Sequence, residues 1–108
     1  MFYLVNSTTD SRKIAKKISD EVIKANLSPC IQIIPNIISS YKWNNSIETS
    51  NEYLISIKTV SMNINLIKKI IKANHNYKIP ELISYKINIE DEDYKKWYKN
   101  NMEIKDMI

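Results

Sequence analysis

Apolar and polar residues alternate along this chain with two periods, and each change of period marks a new element. Phe2 to Asn6 is a short apolar run followed by N-cap residues, which is typical of a strand that leads into a helix. Between Asp10 and Asn26 the apolar residues recur at helical spacing, at Ile14, Ala15, Ile18, Val22 and Ile23. This pattern predicts a strand and then an amphipathic helix, which Ser28-Pro29 would end.

The long apolar stretch from Cys30 to Val60 predicts a β-hairpin with two unusually long arms. The first arm, Ile31 to Trp43, would span roughly 40 Å at about 3.3 Å per residue, whereas a usual strand has about 5–6 residues. Pro35 has no N–H group, so it marks a bulge or bend. The alternation predicts that one face carries Ile31, Ile33, Ile37, Ser39, Tyr41 and Trp43.

The rest of the chain continues the same two periods. Asn44 to Ser46 is predicted to be a turn and Ile47 to Asn51 a loose continuation, before an alternating return arm that ends at Val60. Helical spacing resumes at Ser61 and runs to Asn74. The remaining predicted elements are a loop at His75 to Glu81, a half-buried strand at Ile83 to Ile89, and a helix after the acidic residues Glu90 to Asp93.

The predicted order is β-α-β-β-α-β followed by a C-terminal helix. This order predicts an α+β fold of the ferredoxin-like class, in which two right-handed crossovers share one antiparallel sheet. We expect a single domain over residues 1–108. A hairpin that extends beyond its own sheet leaves unpaired edges and uncovered apolar side chains. Other copies of the same chain are therefore expected to complete it.

Composition narrows the class of function. The chain has no glycine, which argues against a P-loop, a dinucleotide-binding turn or a glycine-lined oxyanion loop, and predicts asparagine at left-handed turn positions. The net charge of +4 is modest and its lysines lie along helix faces. One cysteine, no apolar run long enough to span a bilayer and no signal-like start predict a cytoplasmic protein.

Several side chains are candidates for chemistry, each with a plain structural alternative. His75 is the only histidine, so it is either a locally bonded loop residue or a metal ligand completed by another group. Cys30 is predicted to open a central strand, where it is either a small buried apolar residue or a thiolate ligand. Lys58 and Glu81 are either an ordinary ion pair or the polar floor of a pocket. The large rings are either core or interface anchors or the walls of that pocket, at Tyr41, Trp43 and Trp97.

Two local motifs, taken with their separation, resemble one known family. They are Ser39-x-Tyr41-x-Trp43 and His75-x-Tyr77-x-x-Pro80-Glu81. Further matching positions are Cys30-x-x-Ile33-Ile34-Pro35, Glu52, Lys58-Thr59 and Tyr94-x-x-Trp97. Together these residues resemble the CutA family of divalent-cation tolerance proteins over almost the whole chain.

The resemblance implies a stable homotrimer of ferredoxin-like subunits, an association with copper or other divalent cations, no organic cofactor and no enzymatic activity. The residues taken by themselves make His75 and Cys30 the metal candidates. Some members have a further cysteine at the end of the first strand, where this chain reads Asn6-Ser7-Thr8, and a second histidine, where this chain has Asn74. Only His75 of that set remains.

A similar trimeric architecture in the PII signalling proteins suggests an alternative, a sensor of a small anionic or nucleotide ligand in clefts between subunits. The cleft residues would be Tyr41, Trp43, Lys58, His75, Tyr77, Glu81 and Trp97. No nucleic acid is expected as a partner, because the return arm lacks the paired aromatic residues of an RNA-recognition strand. No membrane is expected either, because no apolar run is long enough to span a bilayer.

Overall fold

The computed structural model describes residues 1–104, which form four strands and three α-helices. In chain order the elements are β1 (Phe2–Thr9), α1 (Arg12–Lys24), β2 (Ile31–Trp43), β3 (Ser46–Val60), a short 3-10 turn (Ser61–Asn63), α2 (Ile64–Asn74), β4 (Ile83–Lys86) and α3 (Glu92–Asn100). The predicted order of elements is confirmed. None of the helices in this part of the chain is long and apolar enough to cross a membrane.

The four strands form one antiparallel sheet in the order β2-β3-β1-β4. The helices α1 and α2 connect strands of this sheet and pack on one of its faces. Val5, Ile55 and Ile57 point from the sheet into that layer and are buried. The helices supply the facing apolar residues of the core, Ala15, Ile18, Val22, Ile67 and Ile71. The helical spacing in the sequence is therefore explained by burial inside the chain.

The sheet has two parts that differ in how many strands they contain. In the part that we call the base, residues 53–60 of β3 pair with β1 on one side and with the start of β2 on the other. Beyond the base, Ser46–Glu52 of β3 pairs only with Ile37–Trp43 of β2. We call this two-stranded extension the ribbon. Its seven residues per arm reach about 23 Å past the base, at about 3.3 Å per residue.

A β-bulge separates the two parts of β2, as Pro35 predicted. The register passes from Ile34↔Leu54 to Ile37↔Glu52, so β2 advances three residues while β3 advances two. Because side chains alternate with a period of two, the extra residue reverses the face of everything beyond it. The prediction of one common face from Ile31 to Trp43 is therefore wrong. Ile31 and Ile33 face the helices, whereas the odd-numbered ribbon residues up to Trp43 share the opposite face with Glu52.

Asparagine takes the left-handed backbone positions, as the absence of glycine predicted. Asn26, Asn36, Asn44 and Asn45 have φ values of 60°, 64°, 51° and 65°. Asn44 and Asn45 form the two-residue turn of the hairpin, in which both central residues need positive φ. Asn26 lies just beyond the end of α1. The helix thus ends at Lys24, earlier than the predicted stop at Ser28-Pro29.

Three further predictions are wrong in detail. Residues 47–51 are not a loose continuation, because they pair with β2 throughout. Cys30 does not open a central strand, because β2 lies at the edge of the sheet within this chain. The strand predicted at Ile83 to Ile89 is shorter, Ile83–Lys86, and its residues are exposed on the other edge.

The acidic start of α3 is confirmed, with the Asp91 carboxylate accepting a hydrogen bond from the Tyr94 amide. Of the C-terminal segment, residues 105–108 lie outside the described part.

The sheet face opposite the helices carries apolar side chains that stay open. Ile34, Ile83 and Tyr85 lie on this face, because they pair with Leu54, Asn6 and Leu4 in the register. Their exposed fractions are 45%, 53% and 47%. An isolated subunit would thus present an apolar surface and two open ribbon edges to water, which monomeric proteins generally avoid.

Candidate functional site

An open groove of about 810 Å³ lies between the ribbon and the loop that follows α2. We call it the ribbon groove. Its lining residues come from the end of β1, both arms of the ribbon and the loop at residues 77–81. They are Thr8, Ser39, Ser40, Tyr41, Trp43, Glu48, Glu52, Tyr77, Lys78, Ile79, Pro80 and Glu81.

The bulge determines which ribbon side chains face this groove. Tyr41 is directly opposite Glu48 in the register, and Trp43 follows two residues later on the same face. Both rings remain partly open to solvent, with exposed fractions of 43% for Tyr41 and 45% for Trp43. The ribbon wall of the groove therefore combines aromatic surface with carboxylates.

The loop wall is fixed by hydrogen bonds to the end of β1. His75 Nε2 lies 2.8 Å from the Thr8 carbonyl oxygen, and the Tyr77 amide donates to His75 Nδ1 at 2.9 Å. Since Nδ1 accepts, the proton must lie on Nε2, which donates to Thr8. Asn76 adds an acceptor for the Thr9 hydroxyl at 2.6 Å. These bonds make His75 a residue that positions the loop, with Tyr77 directed at the ribbon.

At the bottom of the groove the Tyr77 hydroxyl donates to Glu52 Oε2 at 2.5 Å. Glu52 is only 5% exposed. Burial, this hydrogen bond and the charge of Glu52 all raise the pKa of Tyr77 above its usual range. The phenol therefore stays protonated and remains a donor, while Glu52 is the acceptor.

Charge in the ribbon groove is predominantly negative. Glu48, Glu52 and Glu81 supply three carboxylates, and Lys78 is the one cationic side chain among the lining residues. Burial, followed by the charge of Glu52, raises the pKa of Glu81. The charge of Glu52 therefore opposes the ionisation of Glu81.

The predicted cleft residues divide between two places. Tyr41, Trp43, Tyr77 and Glu81 line the ribbon groove, and His75 holds its loop wall. Lys58 lies elsewhere, because its ammonium donates to Gln32 Oε1 at 2.9 Å.

The predicted Lys58–Glu81 ion pair is not among those formed over residues 1–104. Glu81 lines the same groove as Glu52. Lys58 is six residues from Glu52 along β3, which is about 20 Å at about 3.3 Å per residue. Trp97 lies on α3, stacked on Tyr94 at 5.6 Å between ring centroids.

The two predicted metal ligands are also apart within one chain. Cys30 is half-buried at the base, where its carbonyl accepts from the Lys58 amide and its sulfur lies 4.0 Å from Lys58 Nζ. His75 contacts Thr8, which pairs with Leu54, four residues or about 13 Å along β3 from Lys58. Both ring nitrogens of His75 are already hydrogen-bonded. Over residues 1–104 there is no cluster of three or more His, Cys, Asp or Glu residues that would hold a metal ion.

Sequence reasoning missed Glu48 and Glu52 as groove residues. Glu52 is one acidic residue in an extended segment, and its burial comes from Tyr77, which is 25 residues further along the chain. A usable signal was the bulge at Pro35, because it places Tyr41 and Trp43 on the face that Glu48 and Glu52 share.

The fold and the site define a small α+β protein with one four-stranded antiparallel sheet, a long hairpin and a histidine-anchored loop beside it. A family model described as "CutA1 divalent ion tolerance protein" matches residues 3–101. The chain belongs to this family, as the sequence motifs indicated.

Individual relatives agree with the family match. The chain is 31% identical over 98 residues to the chloroplastic protein CutA of Arabidopsis thaliana. The aligned stretch covers 91% of this chain and 54% of the relative. It thus spans about half the length of this relative. Among solved structures, the divalent cation tolerance protein CutA1 of Thermus thermophilus has a TM-score of 0.89 at 27% identity and covers 95% of this chain and 100% of its own. CutA1 of Oryza sativa has a TM-score of 0.89 at 30% identity, with 94% of both chains covered.

Proposed function

We propose that the protein acts as a homotrimer in divalent-cation tolerance, as a cytoplasmic binding protein and not as an enzyme. The description of the matching family names cation tolerance and no reaction. The number of subunits comes from the resemblance to the family. The need for an assembly has separate support from the ribbon, which is two-stranded along its whole length.

The ribbon supports the assembly because a two-stranded hairpin is marginally stable alone in water. Its outer edges offer unpaired N–H and C=O groups along both arms, which suit pairing with strands of other copies. The open sheet face beside it adds apolar area from Ile34, Ile83 and Tyr85. An assembly that pairs the ribbon edges and covers the apolar sheet face would remove both sources of instability in the single chain.

Light scattering coupled to size-exclusion chromatography tests the assembly. We expect three times the mass of one chain at micromolar concentration. Ile34→Glu places a charge on the open face and is expected to reduce the mass to that of the monomer. Ile23→Glu is the matched control, because Ile23 is exposed to a similar extent, 39% against 45%, but lies on α1. A wild-type monomer would contradict the proposal.

For the cation itself we propose copper, with His75 and Cys30 as candidate ligands. A copper ion at His75 Nδ1 would displace the Tyr77 amide that now donates to this atom. Within one chain His75 and Cys30 are too far apart to share an ion. They would therefore share one only if they came from neighbouring copies, which ties this proposal to the trimer.

Calorimetric titration with Cu(II), and separately with Zn(II) and Ni(II), tests the metal proposal. We expect saturable Cu(II) binding that His75→Ala abolishes. If both residues hold one ion between copies, Cys30→Ser weakens the same event, and otherwise it leaves the titration unchanged. The absence of binding below millimolar Cu(II) would remove the metal from the proposed function.

A second function, a sensor with a small ligand between subunits, has support from the ribbon groove. A volume of about 810 Å³ lies in the range of small-molecule sites, about 300–1,000 Å³. The groove joins aromatic walls to a few convergent polar groups, the usual composition of such sites. A thermal-shift screen of metabolites tests the sensor, since a ligand at 100 times its Kd adds about 2.7 kcal/mol to stability.

A further inference from the structure

We propose that the ribbon groove binds a small organic cation, an ammonium or guanidinium group carried on an apolar body. The inference rests on the proposed sensor function and reverses the sign of the ligand expected from the sequence. The observation behind it is the position of Glu52. Glu52 is only 5% exposed, lines an open groove and has no ion-pair partner among residues 1–104.

Glu52 has one hydrogen bond and no ion pair within residues 1–104. Its Oε2 accepts from the Tyr77 hydroxyl, a neutral donor, and the other oxygen has no bonded partner in the same residues. The ion pairs found there, Lys16–Asp20 and Lys95–Glu92, lie on α1 and α3. Buried charges in proteins are normally paired, because an unpaired one loses its hydration without compensation. The second oxygen is not among the buried polar atoms that lack a partner over residues 1–104, so it is open to the groove, where a cation would pair with it.

The neighbouring groups fit a cation and disfavour an anion. Glu48 and Glu81 add negative charge, and Lys78 is exposed at the rim. Lys58, which was predicted to line the cleft, instead donates from its ammonium to Gln32 at the base. An anion entering the groove would meet three carboxylates, whereas a cation would relieve the repulsion between Glu52 and Glu81.

The walls favour an organic cation over a metal ion. Tyr41 and Trp43 present aromatic surface on the same ribbon face as Glu48 and Glu52. Ring faces attract ammonium and guanidinium groups, and Trp is the strongest of the side chains that do so. A divalent metal would instead need several converging oxygen or nitrogen ligands, and no such cluster occurs over residues 1–104.

Calorimetric titration of the full-length protein in its native assembly tests the inference, with putrescine and agmatine as probes and ATP as the anionic comparison. We expect saturable binding of both amines and none of ATP. Glu52→Gln keeps an acceptor for Tyr77 and removes the charge, so it should weaken amine binding by at least about tenfold. Trp43→Leu should weaken it by about two- to fivefold. Glu90→Gln, an exposed carboxylate outside the groove, is the matched control and should change nothing.

The outcomes separate this inference from the proposed assembly. Amine binding that responds equally to Glu52→Gln and Glu90→Gln would reduce it to general charge attraction and overturn it. So would binding of ATP in place of the amines, or no amine binding by a protein that is correctly trimeric. The last result would leave the assembly intact and point to a lysine or arginine of a neighbouring copy as the cation. Unchanged circular dichroism and mass must accompany each variant.

Discussion

The base and the ribbon are built from the same two strands, yet they keep their apolar residues in opposite environments. In the base, Ile55 and Ile57 are completely buried beneath the helices. In the ribbon Ile47 is 79% exposed, and the one buried residue is the carboxylate Glu52. The base thus obeys the usual relation between apolar character and burial, and the ribbon reverses it. This reversal is the reason for proposing that other copies of the chain contact the ribbon.

The largest expected effect comes from truncating an isoleucine in each part. Ile57→Ala should lower the free energy of unfolding by about 2–5 kcal/mol, because it leaves a cavity in a closed core. Ile47→Ala should change it by less than about 0.5 kcal/mol. Urea unfolding at one fixed protein concentration measures both. An equally large loss for Ile47→Ala would mean that the tip of the ribbon is buried in the assembly, and the comparison would fail there.

A smaller effect is expected at the turn that closes the ribbon. Asn45→Ala should destabilise the protein by about 1 kcal/mol, because alanine pays a steric penalty at the left-handed φ of 65° that asparagine tolerates. Asn45→Gly should be neutral or slightly stabilising. Asn51→Ala, at an exposed strand position of the same ribbon, is the control. Amide exchange would locate the change, since only ribbon amides should exchange faster in Asn45→Ala.

The smallest effect is expected where the loop meets the ribbon, at Glu81. Its pKa is raised above the ordinary 4.5, so the folded state binds this proton more tightly than the unfolded state does. Stability should therefore fall as the pH rises through the ordinary and then the folded pKa. Glu81→Gln should match the wild type in acid and be slightly more stable at neutral pH. Unfolding curves measured from pH 4 to pH 8 test the sign, and a less stable variant at neutral pH would refute the repulsion.

Much of the fold could be predicted from the spacing of apolar residues, because the contacts that bury those residues lie within one subunit. The helices α1 and α2 were predicted because their apolar stripes pack against Val5, Ile55 and Ile57 in the same subunit. The left-handed asparagines followed from the lack of glycine. Tyr41 and Trp43 were predicted on the wrong face for one reason. The alternation was counted through Pro35 without a change of face, although a bulge was predicted at that residue.

The site was harder to predict because its geometry depends on contacts between distant parts of the sequence. Tyr77 reaches Glu52 only because His75 fixes the loop on Thr8, 67 residues earlier. Lys58 was assigned to the cleft because strand alternation gives the face of a residue but not its position along the sheet. The sign of the charge in the groove could be established only once the positions of Glu52 and Lys58 were both known.

The bulge between Ile34 and Ile37 has a consequence for comparing relatives. Loss of its single extra residue would leave the helices and the base intact, but would turn Tyr41, Trp43 and their neighbours to the opposite surface. Two homologues could then superimpose closely and still differ in what they bind. An alignment gap at this one position deserves more weight than many substitutions when a ligand is transferred from one member to another.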